Sequence, residues 1–222
     1  MKKLSIFFIV CIAVLCFSQG SMVFANDDLK MFNFYQITYK INDSFDVFIQ
    51  PDMRFKDDIN NFDYYHIRGG IVYHALKNLD LGSTYRFVQS KNSAGKWLNE
   101  YRLELDIAPK ITIGRFKLVN RSRFEYRNLP TSTDRWRYRN LSKIAYPVKI
   151  GDFEFTPYIS EEIFCDFEIG KINLNWITVG VDKKITKNLT LGLFYLNETV
   201  RVGTRSEWDT NHVIGTKVMM SF

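Results

Sequence analysis

Residues 120–146, NRSRFEYRNLPTSTDRWRYRNLSKIAY, decide the fold. Their side chains alternate in character with a period of two, which is typical of β-strands because successive side chains point to opposite faces. One side comprises Arg121, Arg123, Glu125, Arg127, Arg137, Arg139 and Lys143. The other side comprises Ser122, Phe124, Tyr126, Trp136, Tyr138, Ile144 and Tyr146. The stretch therefore predicts a β-hairpin with one charged face and one aromatic face.

The same alternation runs through the chain from Met31 to Phe222, and it divides that region into eleven strand-like segments with no helical periodicity. The predicted connections are alternately short and long. The short ones are 42–44, 77–80, 112–115, 147–152 and 186–188, and the long ones are 56–62, 90–96, 128–135, 165–173 and 201–207. Outer-membrane barrels have short turns at one end and longer loops at the other, so this pattern favours such a barrel.

We predict an all-β fold, an antiparallel up-and-down transmembrane β-barrel formed by residues 26–222 as one domain. Single-chain bacterial barrels have an even number of strands. Because eleven is odd, we predict that one strand near the N-terminus is not recognised by this pattern and that the barrel has twelve strands. Ten strands is the alternative.

The first 25 residues have the features of an export signal. Lys2 and Lys3 precede an apolar run at 4–16, and residues 23–25 end on Ala25 in a typical cleavage pattern. We expect residues 1–25 to be cleaved. Loss of the two lysines lowers the formal net charge from +6 to +4, a surplus too small to indicate a nucleic-acid partner.

Aromatic residues near both ends of the apolar faces favour the membrane. Tyr65 and Tyr73 are eight residues apart, which in a tilted strand is roughly 20 Å, close to the ~25 Å apolar band between the aromatic girdles of such barrels. The C-terminal Phe222 looks like the signature that the outer-membrane assembly machinery reads. We therefore expect localisation in the cell outer membrane, with its lipid and the barrel-assembly machinery as partners. A soluble periplasmic lipid-binding barrel, with its charged faces outside, is a further alternative.

Several short motifs resemble a known family. They are the Arg-x-Arg-x-Glu-x-Arg pattern at 121–127, Arg137-Tyr138-Arg139, Glu100-Tyr101-Arg102 and residues 158–164. They are similar to the bacterial outer-membrane barrels of the family labelled domain of unknown function 2490, and the resemblance covers most of residues 26–222. It implies the architecture and the location, and it implies no established activity. One departure is Trp176, where similar sequences carry Arg after Asn.

The charged faces predict the lining of the barrel lumen. The expected charged wall comprises Arg102, Glu104, Arg121, Arg123, Glu125, Arg127, Arg137, Arg139 and Lys143. Complete pairing with carboxylates would fill the lumen, whereas unpaired arginines would line a hydrated pore that attracts a small anionic solute. We expect a non-enzymatic narrow pore or structural envelope protein.

No catalytic, metal-binding or cofactor-binding motif is found in the sequence. His66 and His74 are eight residues apart, roughly 27 Å along a strand, so they cannot share a metal ion. Four serines have no recognisable histidine partner by spacing: Ser83, Ser122, Ser142 and Ser160. An outer-membrane lipid hydrolase or deacylase is the alternative function.

The first prediction concerns Phe222. Deletion of this residue should impair assembly, because the terminal aromatic is expected to be read by the assembly machinery. The measurement is heat-modifiable gel mobility in the outer-membrane fraction. A mature protein found in the soluble periplasm and insensitive to the deletion would contradict the membrane interpretation.

Overall fold

A computed structural model describes residues 28–129, 133–168, 170–201 and 207–222. The expected signal segment 1–25 lies outside these residues. Over the described part of the chain there are twelve β-strands and no helix long and apolar enough to span a membrane. The strands are β1 (Asp28–Lys40), β2 (Phe45–Lys56), β3 (Asn61–Leu76), β4 (Leu79–Lys91), β5 (Trp97–Ile113), β6 (Phe116–Asn128), β7 (Arg135–Ala145), β8 (Val148–Ile150), β9 (Phe153–Asp166), β10 (Lys171–Lys184), β11 (Leu189–Arg201) and β12 (Trp208–Ser221).

Eleven of these strands form a closed barrel. Neighbours in the chain pair antiparallel from β1 to β7 and from β9 to β12, and β7 pairs directly with β9. The barrel closes between β1 and β12. The short strand β8 pairs with β9 and forms a hairpin outside the wall. The prediction of an all-β barrel with about twelve strands is confirmed.

Two details of that prediction differ from the structure. The wall contains eleven strands, so the first and last strands run in the same direction and β1 pairs parallel with β12, with Asp28 opposite Asn211 and Thr38 opposite Ser221. The twelfth strand is the 148–150 segment within a predicted turn, instead of a strand near the N-terminus. A meander with an odd number of alternating strands can close only through a parallel pair.

The two ends of the barrel have different connections. The turn end has the connections 41–44, 77–78, 114–115, 146–152 and 185–188 together with Phe222, and the loop end has 57–60, 92–96, 129–134, 167–170 and 202–207. The difference in length is smaller than predicted because most strands extend further than their alternation indicated. The tightest turns include 114–115, where Gly114 adopts the left-handed φ of 61° that a two-residue hairpin turn requires.

The outer wall is mainly apolar, and most side chains of the inner wall are polar or aromatic. Leu103 and Leu105 on β5 point outward with 47% and 50% of their surface exposed, whereas Arg102 and Glu104 between and beside them point inward with 6% and 0% exposed. This alternation recurs on every strand of the wall. An exposed apolar surface of this extent is typical of a contact surface for lipid or for another protein.

The second prediction compares two positions on β5. Leu105 lies in the middle of the strand and Ile113 at its turn end, and both point outward. In a bilayer, Leu105→Arg should destabilise the barrel by about 2–4 kcal/mol and Ile113→Arg by about 0–1 kcal/mol, because the cost of a charge falls towards the membrane interface. Denaturant unfolding in lipid vesicles measures both. Small and equal costs would indicate that this face contacts water.

Candidate functional site in the barrel lumen

The charged side chains of the inner wall meet in the half of the lumen near the loop end. Side chains on β4–β7 and β9 form a cluster that we call the charged plug, and all of its members are at most 8% exposed. The charged plug comprises Arg86, Glu100, Arg102, Glu104, Arg123, Glu125, Arg137, Arg139 and Glu162. Burial of so many ionised groups is stable only if each has a partner of opposite charge and hydrogen bonds.

Like charges stand opposite one another across neighbouring strands. Arg102 on β5 is the register partner of both Arg86 on β4 and Arg127 on β6, and Glu104 is the partner of Glu125. Directly opposed like charges are destabilising. Other inward pairs are of opposite sign, since Asp106 stands opposite Arg123 and Glu125 opposite Arg137. Where like charges are opposed, the pairing must run diagonally.

Glu104 is the centre of the first diagonal network. Its carboxylate oxygens lie 2.6 Å from Arg86 Nη2 and 2.9 Å from Arg123 Nη1, and Arg68 Nε is 3.7 Å away. Arg123 also makes a bidentate interaction with Asp106, through Nε and Nη2 at 2.7 Å each. Two carboxylates thus hold Arg123, which is 1% exposed.

Glu125 and Glu162 form the second network. Glu125 accepts hydrogen bonds from Arg137 Nε at 2.7 Å and from Arg139 Nη1 at 2.9 Å. Glu162 accepts one from Arg139 Nε at 2.9 Å and one from Arg121 Nη2 at 2.7 Å. Arg139 therefore bridges two carboxylates on different strands and connects the β6–β7 hairpin to β9.

Glu100 completes the charged plug nearest the loop end. Arg102 donates to it from Nε at 2.7 Å and from Nη2 at 2.8 Å, and Arg127 donates from Nη2 at 3.1 Å. Arg127 lies on the loop side of the charged plug and Arg121 on its opposite side, and both remain partly exposed. Eight of the nine residues of the expected wall therefore belong to the plug or bond to it; the ninth, Lys143, lies nearer the turn end.

An aromatic cluster fills the remaining part of the lumen beside the plug. Trp176 packs edge-on against Phe164 with ring centroids 4.9 Å apart, and its indole Nε1 donates to Glu198 at 2.8 Å. The Arg139 guanidinium lies 4.3 Å from the centre of the Phe164 ring. Such a cation–π contact joins the charged and aromatic sides of the interior. Trp176, the departure from the family pattern, is thus an inner-wall residue of this cluster.

Some residues of the interior were not included in the expected wall. Arg54 interacts with Asp52 at 2.8 Å and its guanidinium lies 4.2 Å from the Phe32 ring centre, and Arg86 and Glu162 belong to the charged plug. The signal that could have identified them is the same alternation, because each occupies a polar position of its strand. The sequence does not show the strand register, which places these residues close together in the barrel.

The half of the lumen near the turn end is more open. We call this space the vestibule, and the partly exposed inward side chains that line it include Gln36, Val72, Ala108, Val119, Lys143 and Asp182. Lys143 and Lys217 both lie over the ring of Tyr158, at 3.9 and 4.1 Å from its centre, and both are within 3.7 Å of Asp182. The inner glycine Gly180 lies against Tyr158, and a Cβ there would be 2.4 Å from the phenol oxygen.

The candidate catalytic residues do not come together. Ser122 hydrogen-bonds to Tyr138 at 2.9 Å on the outer wall, whereas His66 and His74 point into the lumen. His74 lies between Asp80 and Asp46, at 2.8 and 3.2 Å, and His212 contacts Tyr195 on the outer wall. Within the described ranges, no group of three or more His, Cys, Asp or Glu side chains is arranged to hold a metal ion.

Phe222 directly follows β12 at the turn end. Its backbone nitrogen donates to the Thr38 carbonyl at 3.0 Å and its carbonyl accepts from the Lys40 nitrogen at 2.8 Å. Its side chain points outward and is 61% exposed. The residue thus takes part in closing the barrel through its backbone and leaves its aromatic ring available on the outside.

Comparison with protein-family models gives a match over most of the chain. The model of a family described as "Protein of unknown function (DUF2490)" matches residues 29–209, which span nearly the whole barrel. None of the curated proteins matches this chain.

The third prediction concerns Glu104. Glu104→Gln removes the charge that compensates Arg86 and Arg123, and loss of one partner of a buried ion pair should lower the free energy of unfolding by about 3–5 kcal/mol. Denaturant unfolding followed by gel mobility measures this change. The control is Asp43→Asn, which breaks an exposed pair with Lys40 at a turn and should leave stability unchanged. Equal effects of the two substitutions would contradict a structural role of the plug.

Proposed function

The chain belongs to the family described as protein of unknown function (DUF2490), and we propose that it is a non-enzymatic outer-membrane barrel whose lumen is closed by the charged plug. In this proposal the protein is a structural envelope protein with a blind vestibule, and it conducts ions poorly or not at all. The family match supports the barrel class and carries no activity.

The observation that carries the proposal is the difference between the two halves of the lumen. Near the loop end the inward side chains are buried, including Glu104 at 0%, Arg123 at 1% and Glu125 at 0% exposed. Near the turn end the inward side chains of the vestibule are partly exposed. A conduction path needs solvent-accessible side chains along its whole length, so the charged plug is the barrier.

The orientation follows from the connections. In outer-membrane barrels the shorter turns face the periplasm and the longer loops face outward. By that rule the vestibule opens to the periplasm and the plug lies in the outer half of the membrane. The outward apolar wall supports the membrane location, because large side chains such as Leu193, 61% exposed, favour lipid over water.

The vestibule favours small anions over cations. Arg121, Lys143 and Lys217 border it with 20–30% of their side chains exposed. Asp182 is shared between the two lysines, so their positive charge is only partly neutralised. A small anionic solute from the periplasm would find donors here, in accordance with the basic inner wall of the hairpin.

The contacts of the outer-wall serines do not favour a lipid hydrolase. An acyl-transfer site needs a nucleophile within hydrogen-bond reach of its base. The described hydrogen bonds of Ser122 go to outer-wall polar groups, and Ser142 accepts from Asn120 at 2.9 Å. These contacts leave the outer-wall serines within a polar network that contains no histidine.

The fourth prediction tests closure of the lumen in planar bilayers. The purified wild-type barrel should show negligible conductance. The double substitution Arg123→Ser and Asp106→Ser removes one bidentate pair without changing net charge, and it leaves Glu104 with Arg86 and Arg68. Removal of this volume from the plug should produce a small current with a modest preference for anions.

The matched control is Lys40→Ser with Asp43→Ser, which removes an equally neutral pair at an exposed turn. This variant should remain non-conducting. A large steady conductance in the wild-type protein, unchanged by the Arg123 and Asp106 substitutions, would overturn the closed lumen. Recovery of the wild-type protein from the soluble periplasmic fraction would overturn the membrane location itself.

A further inference from the structure

The outer wall carries a polar patch of six residues in the middle of a mainly apolar band. The patch extends over four consecutive wall strands, β6, β7, β9 and β10, and all of its members point outward. We call it the outer polar patch, and it comprises Asn120, Ser122, Asn140, Ser142, Glu161 and Asn175.

Strand register assembles the patch into two rows. Asn120 pairs with Ser142, and Ser142 pairs with Glu161, so that one row crosses three strands. Ser122 pairs with Asn140 in the second row. The rows are thus contiguous across the wall, although their members come from distant parts of the sequence.

The patch lies at the centre of the apolar band rather than at its edge. On β6 it is followed towards the loop end by the outward Phe124 and Tyr126, and preceded towards the turn end by Phe116 and Leu118. On β9, Ile159 and Ile163 lie on either side of Glu161. In the proposed membrane location, aromatic residues therefore mark both interfaces and the patch lies near the bilayer midplane.

Glu161 is the strongest feature of the patch. Its side chain is exposed, and it accepts a hydrogen bond from Asn175 Nδ2 at 2.9 Å. Among the described residues, no lysine, arginine or histidine nitrogen forms an ion pair with it. A carboxylate in hydrocarbon without a further partner is unfavourable, so lipid alone is a poor neighbour for this side chain.

The remaining members of the patch can both donate and accept hydrogen bonds. Asn120 Nδ2 donates to Asn140 Oδ1 at 3.0 Å, and Asn140 Nδ2 donates back at 3.1 Å. Ser142 accepts from Asn120 Nδ2 at 2.9 Å and keeps its own hydroxyl proton for a partner across the outer surface. Short polar side chains without large rings allow a second wall to approach closely, as small and polar residues do at contacts between membrane segments.

We propose that the outer polar patch is the contact surface between two copies of this barrel in the membrane. This inference rests on the proposed membrane location. A two-fold axis parallel to the barrel axis and passing through β7 places β9 of one copy against β6 of the other at the same depth. Glu161 then lies beside the Ser122 and Ser142 hydroxyl groups of the second copy, which can donate to its carboxylate, so the patch is complementary to itself. Each copy satisfies the carboxylate of the other.

Crosslinking of introduced cysteines tests the geometry of the contact between the two copies directly. Ser142→Cys, made together with Cys165→Ser so that no other outward thiol is present, puts a thiol on β7 beside the proposed axis. In outer-membrane fractions, a short bifunctional thiol reagent should convert this variant to a species of twice the mass. Ser83→Cys in the same background is the matched control, because Ser83 is an exposed outward serine on β4 away from the patch. It should remain at the mass of one chain.

Glu161→Leu provides a second measurement with opposite expectations for the two environments. If the patch is the interface, loss of its hydrogen bonds should raise the dissociation constant of the dimer in micelles by roughly threefold for each bond. If the patch faces lipid, the same change should raise the thermal stability of the protein, and both the wild-type protein and the variant should be monomers. Equal crosslinking at Ser142 and Ser83, or a monomeric wild-type protein, would overturn the proposal.

The two proposals fail in distinguishable ways. A membrane-inserted monomer contradicts the contact between copies and leaves the closed barrel intact. A protein found only in the soluble fraction contradicts the location, and with it the inference drawn here. A crosslink from Ser142→Cys to a different envelope protein, without any species of twice the mass, would assign the patch to that partner and overturn the two-copy contact.

Discussion

The structure depends on the pairing of buried charges, which share the interior of the barrel with a hydrophobic cluster. Register places like charges opposite each other, as with Glu104 and Glu125 or Arg102 and Arg86. Diagonal ion pairs between successive rows compensate this arrangement, and each one links neighbouring strands. A shift of two residues along one strand would separate these ion-pair partners, so the network contributes to specifying the native register.

The same network explains why one end of the lumen differs from the other. Arginine side chains are long, and the nine charged residues of the plug, which lie in one half of the lumen, leave little room for solvent in a barrel of this size. The opposite half contains the inward residues Val72 and Ala108, whose short side chains are partly exposed. The barrel thus has a closed half and an open half.

Much of this architecture could be predicted from the sequence, and the reasons for the rest are physical. The period of two identifies the inward and outward faces, because it depends only on the alternation of side chains along a strand. Register is a property of two strands together, so the diagonal partners of Glu104 and the rows of the outer wall do not appear in any single segment. Glu161 illustrates this limit: in the sequence it interrupts an apolar face, and in the structure it completes a row with Ser142 and Asn120.

The parallel pair between β1 and β12 has a kinetic consequence. Every other strand pair in the wall joins strands that are near in the chain, so those pairs can form locally. The β1–β12 pair joins Asp28 to Asn211, and it can form only after nearly all the other strands are in place. A register error at this last step would misplace both faces. Lys30, which bonds Glu198 at 2.7 Å inside, and Asn33, which accepts from Thr216 at 2.7 Å outside, recognise the correct alignment from opposite sides of the sheet. Closure of the barrel is thus the folding step that depends on correct alignment of β1 with β12.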